Sequence, residues 1–362
     1  MDRLGNVYPT TYSVNDDVFH SHGVSIQRKH KDIFECANLE EYFTKYDQIG
    51  FNNLKRDYKA TDFDGVQKEL VSRYANEVNQ RLARSKSKKL VLMIHGFNDE
   101  TPYDEYNLVE DHINEKFGAN NDITYLEVYW DGMTNMRRDP KRKNLWSIAN
   151  FNAAWAAVTM RKVMNKVNTN SDVYIITHNL GAAVAANMLF NVNAWSCFPM
   201  SKCMDNPEVV MRNLATPKQK SITLAMLAPA IPGVGTFHAI NFTVPQNNAS
   251  NYKRVVVGYN RYDRAVSGRF ITSVCPCGGR RGCATSLGRN RRKEVDATRC
   301  MVNIFNDKVQ YLTTNFSYRG SRRPRQKDFM YYIQDAKFNI FLNNVFDDYA
   351  VPTVNQPTMV SL

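Results

Sequence analysis

The run Val173-Tyr174-Ile175-Ile176-Thr177-His178-Asn179-Leu180-Gly181-Ala182-Ala183-Val184-Ala185-Ala186 decides how the rest of the chain is read. Its first half is β-branched and aromatic, the composition of a buried strand, and its second half is alanine-rich and reads as a helix. Gly181 and Ala182 stand beside the turn between them. Small side chains there let a helix begin close to the strand it follows, which lifts one side chain over the sheet edge. The lifted position is Asn179. An amide is neither ionised nor nucleophilic near neutral pH, so it cannot attack as an activated hydroxyl does.

Upstream, Leu90-Val91-Leu92-Met93-Ile94 is a continuous apolar run of the kind buried on both faces of a sheet. His95-Gly96-Phe97-Asn98 follows it directly. A loop leaving a central strand in this way aims backbone N–H groups at an oxyanion, and Gly96 permits the close approach. The His95 side chain itself is expected to hydrogen-bond the strand end. Ile123–Trp130, Ile222–Leu227 and Val255–Asn260 read as further strands, with Met301–Phe305 expected as the last. Helical patterns occupy 63–85, Trp146–Val163 and 329–346. This alternation predicts an α/β fold, a mostly parallel central sheet flanked by helices. Ligands in such folds bind beyond the carboxyl ends of strands, where His95, Asn98, Asp131, Asn179, Pro229 and Asp263 all fall.

The chain divides into an N-terminal extension (1–60), an α/β domain (61–349) with an inserted loop at 271–299, and a C-terminal tail (350–362). The extension shows no long periodic segment and is expected to pack over the domain or to serve as an assembly arm. Its histidines, His20, His22 and His30, lack the companions of a metal site. The 362 residues carry 47 Lys and Arg against 35 Asp and Glu, a formal charge of +12. That balance favours an anionic partner and says nothing about fold. No run reaches transmembrane length and no signal-peptide pattern opens the chain, so the expected location is cytoplasmic, or outside the cell by a route without a classical signal.

Seven cysteines, an odd number, argue against a disulfide framework. Four of them, Cys275, Cys277, Cys283 and Cys300, could in principle surround a zinc ion, although Cys-x-Cys is tighter than the usual ligand pairs. No cofactor is expected, with a structural zinc as the minor alternative. Basic side chains cluster at 137–143, at Arg280, Arg281, Arg289, Arg291, Arg292 and Lys293, and at Arg319, Arg322, Arg323, Arg325 and Lys327. Arginine suits phosphate and carboxylate forks. No nucleic-acid-binding signature accompanies them, so an acidic protein surface or self-assembly is the favoured partner, with nucleic acid and anionic lipid as alternatives.

Taken together, 91–98, 123–132, 173–186, 222–233 and 255–266 resemble the α/β-hydrolase superfamily. The similarity is to lipase- and esterase-like bacterial proteins with a His-Gly-Phe-Asn oxyanion loop and a Thr-His-Ser-Leu-Gly elbow. It covers residues 88–265, about half the chain. The resemblance implies that Asn179 stands in the place of the nucleophilic Ser, Phe97 and Leu180 in those of the oxyanion amides, and Asp263 in that of the acid. The base has no counterpart, because every histidine lies at or before His238. The expected region, 318–332, offers Tyr318, Lys327, Asp328, Tyr331 and Tyr332 instead. A Ser-His-Asp relay needs an imidazole to take the hydroxyl proton. His178 is expected to turn into the structure, and Asp263 to cap a loop or pair with Arg261 or Arg264 at the surface. His238, or a relocated nucleophile among Ser273, Ser286 and Cys275, remains the route to activity. The expectation is a catalytically inactive hydrolase-like protein with a structural or protein-binding role. The alternatives are a lipase or esterase relative with a relocated nucleophile, or a basic nucleic-acid binder.

Overall fold

The computed structural model describes residues 1–2, 4–7, 39–86, 88–97, 99, 102–118, 123–132, 142–190, 207–231, 251–260, 262–263, 287, 309–317 and 329–346. The chain first forms three helices, α1 (Leu39–Tyr46), α2 (Gln48–Asp57) and α3 (Phe63–Arg84). The Asp62 carboxylate, accepting from the Gly65 amide at 2.7 Å, caps the start of α3. Then follow β1 (Lys89–Ile94), α4 (Pro102–Ile113), β2 (Ile123–Val128), α5 (Arg142–Met164), β3 (Asp172–His178), α6 (Gly181–Phe190), α7 (Pro207–Arg212), β4 (Ser221–Leu227), β5 (Tyr252–Tyr259), β6 (Gln310–Asn315), α8 (Phe329–Ile333) and α9 (Phe338–Phe346).

The six strands form one sheet in the order β2-β1-β3-β4-β5-β6, and all five pairings are parallel. This is the α/β architecture read from the sequence. The chain steps outward from β1 to β2, then crosses to the other side of β1 to form β3. The loops leaving β1 and β3 therefore part at a topological switch point, where such sheets open a crevice.

Alternation along the strands divides the core into two layers. Leu90, Leu92, Ile94, Val173, Ile175, Leu224 and Met226 face one apolar cluster shared with α3, α5 and α6. Val91, Met93, Tyr174, Ile176, Leu227 and Val256 face the other, covered by α4, α8 and α9. Small residues on both α5 and α6 (Ala153, Ala156, Ala157; Ala182, Ala183, Ala186) let the two helices approach closely within the first layer. At the far end of α6 the buried Arg161 guanidinium donates to the carbonyls of Met188 at 2.6 Å and Asn187 at 2.8 Å. Burial pulls its pKa down to about 10, so it remains charged opposite the negative end of the helix.

Within the N-terminal extension, residues 39–57 fold as the short helices α1 and α2, whose Leu39, Phe43 and Leu54 share an apolar cluster with Phe63, Val66 and Leu70 of α3. The first residues are laced to the same body. Asp2 accepts from the amides of Leu4, Asn6 and Leu39 at 2.8, 2.8 and 2.9 Å, and Thr159 donates to the Gly5 carbonyl at 2.6 Å. Among the described residues the last strand is Gln310–Asn315, paired with β5 from Arg254↔Gln310 to Tyr259↔Asn315; Met301–Phe305, expected as the last strand, lies outside the described residues. Among the described residues no helix is long and apolar enough to cross a membrane.

Candidate functional site

Asn179 sits between β3 and α6 with φ +50°, in the left-handed region. Asparagine tolerates that region better than most side chains. The turn is held by main-chain bonds to the β4 end: the Asn179 N–H donates to the Leu227 carbonyl at 2.9 Å, and the Ala230 N–H donates to the Asn179 carbonyl at 2.9 Å. Ala228, on that neighbouring turn, is also left-handed at φ +43° and donates to the Gly258 carbonyl at 2.7 Å. Two strained turns thus brace each other over the switch point.

Glycines make this packing possible. A Cβ on Gly181 would strike the carbonyl oxygens of Ile94 and His95, so the first residue of α6 rests on the end of β1. A Cβ on Gly96 would lie 2.8 Å from Asn179 Cβ and 3.1 Å from His178 Nδ1. The His-Gly-Phe loop and the elbow are therefore in direct contact.

The His95 ring is fully buried and spent on the strand end. Its Nδ1 and the Gly96 carbonyl are 3.0 Å apart, its Nε2 accepts from the Trp130 amide at 3.2 Å, and the Trp130 indole donates to the His95 carbonyl at 2.9 Å. This pattern fixes a neutral ring protonated on Nδ1. Desolvation lowers its pKa to about 4. The Tyr106 hydroxyl completes the lock, accepting from the His95 amide at 2.7 Å and donating to the Val128 carbonyl at 2.9 Å.

His178 turns inward and stacks on Phe329, ring centroids 5.0 Å apart at 13°. Neither of its ring nitrogens has a hydrogen-bond partner, nor does Asn179 Oδ1. Burial, with a smaller contribution from His95, lowers the His178 pKa to about 3. Asn179 is itself only 2% exposed.

Asp263 departs from its expected surface role. It is fully buried, and the Tyr332 hydroxyl donates to its Oδ2 at 2.6 Å. Burial and the adjacent carboxylate push the Tyr332 hydroxyl well above the ordinary phenol range. Phe329 and Tyr332 both belong to α8, so one short helix covers His178 and bonds Asp263. The Met330 amide, donating to Glu105 Oε1 at 3.1 Å, ties that helix to α4.

The structure thus brings together Gly96, His178, Asn179, Leu180, Asp263 and Tyr332, with Phe97 half-buried against the first core layer. Asp131 and Pro229 are buried at neighbouring strand ends. Asn98, His238, Ser273 and Ser286 lie outside the described residues, as do all seven cysteines, among them Cys275, Cys277, Cys283 and Cys300. So do Arg280, Arg281, Arg291, Arg292, Arg322, Arg323 and Arg325. Among the described residues no group of three or more His, Cys, Asp or Glu could hold a metal ion. Sequence reasoning did not assign Tyr332, Phe329 or Tyr106 a role. Of these, Phe329 and Tyr332 stood in the region 318–332 already singled out, where only Tyr332 was named.

Chemically, the elbow carries no ionisable proton, and the Tyr332 phenol that donates to Asp263 holds its own proton at neutral pH. None of the described imidazoles bonds to Asp263: the His95 ring is locked to Gly96 and Trp130, and His178 makes no hydrogen bond. The described residues show no evident catalytic triad.

No curated protein matches this chain. Among solved structures, an iodinated complex of acetyl xylan esterase is similar at 8% identity, with 71% of this chain and 97% of that chain covered and a TM-score of 0.32. An uncharacterized protein from Bacillus cereus ATCC 10987 is similar at 11% identity, covering 86% and 76% respectively, with a TM-score of 0.30. A family model matches residues 72–275, from α3 past the last strand-end aspartate. That stretch exceeds half of the chain and contains the switch point and the elbow, and the chain belongs to the family described as alpha/beta hydrolase of unknown function (DUF900).

Proposed function

We propose that this chain is a catalytically silent member of its family, retained as a structural or protein-binding component. Asn179 stands in the nucleophile's place, Leu180 and Phe97 in those of the oxyanion amides, and Asp263 in that of the acid. The observation that carries the reading is the Tyr332–Asp263 hydrogen bond. A relay passes its proton from nucleophile to an imidazole held by the acid, and here a phenol holds the acid while an amide occupies the elbow. The near-complete burial of Asn179 supports the same conclusion. On this reading the arginine-rich runs at 280–293 and 319–327 supply the cations for an anionic partner.

Two assays test this. Turnover of short- and long-chain acyl esters, together with labelling by a fluorophosphonate probe, is expected to be absent; hydrolysis that vanishes in Asp263→Ala would overturn the reading. Asn179→Ser restores a hydroxyl but no base, so it is expected to stay inactive. Rescue by that single change would place the base elsewhere in the chain.

A further inference from the structure

The amino ends of the central strands lie at the opposite edge of the sheet from Asn179, about 20 Å away along β3. Lys89, Asp172 and Ser221 begin β1, β3 and β4 and stand in register there. Because the helices run back against parallel strands, α3 and α5 end at the same edge. Basic residues gather on all of these pieces. Arg84 closes α3, Lys88 precedes β1, Lys162 and Lys166 lie at the end of α5 and just past it, and Lys218 and Lys220 lead into β4. All six are exposed. The stretches that supply them are poor in acids: no Asp or Glu occurs between Glu77 and Asp99, between Asp139 and Asp172, or between Glu208 and Asp263.

Hydrogen bonds fasten these segments into one surface. The Asn79 side chain of α3 donates to the Lys166 carbonyl at 2.8 Å and accepts from the Asn168 amide at 2.7 Å. Gln219 donates to the Met164 carbonyl at 2.9 Å, Asn165 to the Ala215 carbonyl at 2.8 Å, and the Asp172 amide to the Lys88 carbonyl at 3.1 Å. None of the six cations joins an ion pair among the described residues; those pairs link Arg56 to Asp57, Arg73 to Glu69 and Arg81 to Glu77. Asp172, the acid in their midst, accepts from Ser221 Oγ at 2.7 Å. On the other layer of the sheet, the exposed Asp111 and Glu115, at and just past the end of α4, bound the face. Helix dipoles account for part of the charge, since Arg84 and Lys162 stand at the negative ends of α3 and α5. Lys88, Lys218 and Lys220 lie on strand-entry loops and serve no helix end. Lys88 also holds φ +51°, a conformation that glycine or asparagine adopts more easily.

We propose that this amino-edge face binds duplex nucleic acid through its phosphate backbone. The starts of β1 and β4 lie two strand spacings apart, about 10 Å, a span over which a duplex carries about six phosphates. The composition of the face discriminates among anionic partners. Lysine is a point charge without the planar fork that pairs carboxylates, and protein interfaces are poor in lysine and rich in aromatic residues and arginine. Here lysines are set among the exposed Asn165, Asn168, Thr169 and Asn170, a mixture that suits phosphate oxygens rather than an acidic protein. The exposed large apolar side chains Ile49, Tyr103, Val209 and Ile340 belong to none of these segments. The described face therefore gives an unpaired base nothing to stack on and a lipid surface nothing to take up. Backbone contacts of this kind position a duplex without reading its bases. The face adds a partner to the function proposed above and does not depend on the state of the elbow.

Fluorescence anisotropy of a labelled DNA duplex of about 20 base pairs, titrated with the full chain over a range of salt, tests the proposal. Binding is expected at about 0.1 M salt, with log K falling linearly against log salt. Lys88→Asn/Lys166→Gln/Lys220→Gln is expected to bind at least about tenfold more weakly and to flatten that slope by about 2–3, roughly one for each lost phosphate contact. Arg322→Gln/Arg323→Gln/Arg325→Gln removes the same net charge from another part of the sequence and should weaken binding less than about threefold. Circular dichroism checks that both variants are folded. In the wild type, bound duplex should protect Lys166 and Lys220 from acetic anhydride and leave Lys68, in the first half of α3, as reactive as before. No binding by the wild type, equal losses in the two variants, or no selective protection would each overturn the proposal, as would tighter binding to phosphatidylserine vesicles than to the duplex. Ester turnover would instead overturn the silent-enzyme reading and leave this one standing.

Discussion

His178 is the residue whose surroundings fit its chemistry least. Its imidazole is buried, bears no hydrogen bond on either nitrogen, and lies flat against Phe329. A neutral imidazole still carries one N–H, so burial leaves a donor and an acceptor unmet, at a cost of about 1–3 kcal/mol. His178→Phe removes both polar atoms and keeps a ring for the stack. The expected result is unchanged or higher stability at neutral pH, by up to about 1 kcal/mol, read from urea midpoints. A loss of more than about 2 kcal/mol would mean that the imidazole is used in a way this packing does not reveal. Gly181 gives the opposite case. A methyl there meets the carbonyl oxygens of Ile94 and His95, which belong to the sheet and its immediate continuation and have little room to retreat. Gly181→Ala is therefore expected to cost about 3 kcal/mol, toward the severe end for single substitutions. Ala182→Gly, one position on, should cost only about 1 kcal/mol as a helix-propensity effect.

Among the elements, α6 shows how a helix with no polar face is secured. All ten of its residues are buried, so its last carbonyls cannot reach water and need donors from the protein. Arg161 of α5 supplies them, and extends to the Met211 carbonyl at 3.4 Å. Arg161→Met keeps much of the aliphatic stem but leaves those carbonyls bare; about 2–4 kcal/mol of destabilisation is expected, by thermal or urea unfolding. Arg161→Lys, with one ammonium on a different geometry, should recover less than half of it. Legibility also differed by element. β1, β3, β4 and β5 were visible because strands buried on both faces are apolar at most positions. β6 was not: Gln310-Tyr311-Leu312-Thr313-Thr314-Asn315 lies at the sheet margin, exposed at both ends, and its polar residues cost nothing there. Met301–Phe305 is more apolar and drew the expectation away. α1 and α2, at 8 and 10 residues, are too short for periodicity to outweigh their charged side chains. At the site, a local run encoded the elbow. The Tyr332–Asp263 bond joins residues 69 positions apart, and nothing in either local sequence announces it.

At the scale of the whole molecule, the two buried imidazoles set how the fold responds to acid. Both have folded-state pKa values below the ordinary 6.5, at about 4 for His95 and about 3 for His178. The unfolded chain then binds protons before the folded one does, so stability rises with pH across this window. The contribution is fully present above about pH 6.5 and is lost as pH falls through the folded values, on the order of 3 kcal/mol for His95 and about 5 kcal/mol for His178. Asp2 and Glu110 act in the other sense, because their folded pKa values are raised and the folded state holds their protons more tightly as pH climbs. The net profile mixes these slopes, and subtraction separates them. Urea unfolding of wild type and His178→Phe between pH 7 and pH 4 should show the variant gaining relative stability steadily below about pH 6.5, whatever the sign of the background. Equal slopes for the two proteins would mean that His178 takes up its proton in the folded state, which is incompatible with an unsolvated ring stacked beneath α8.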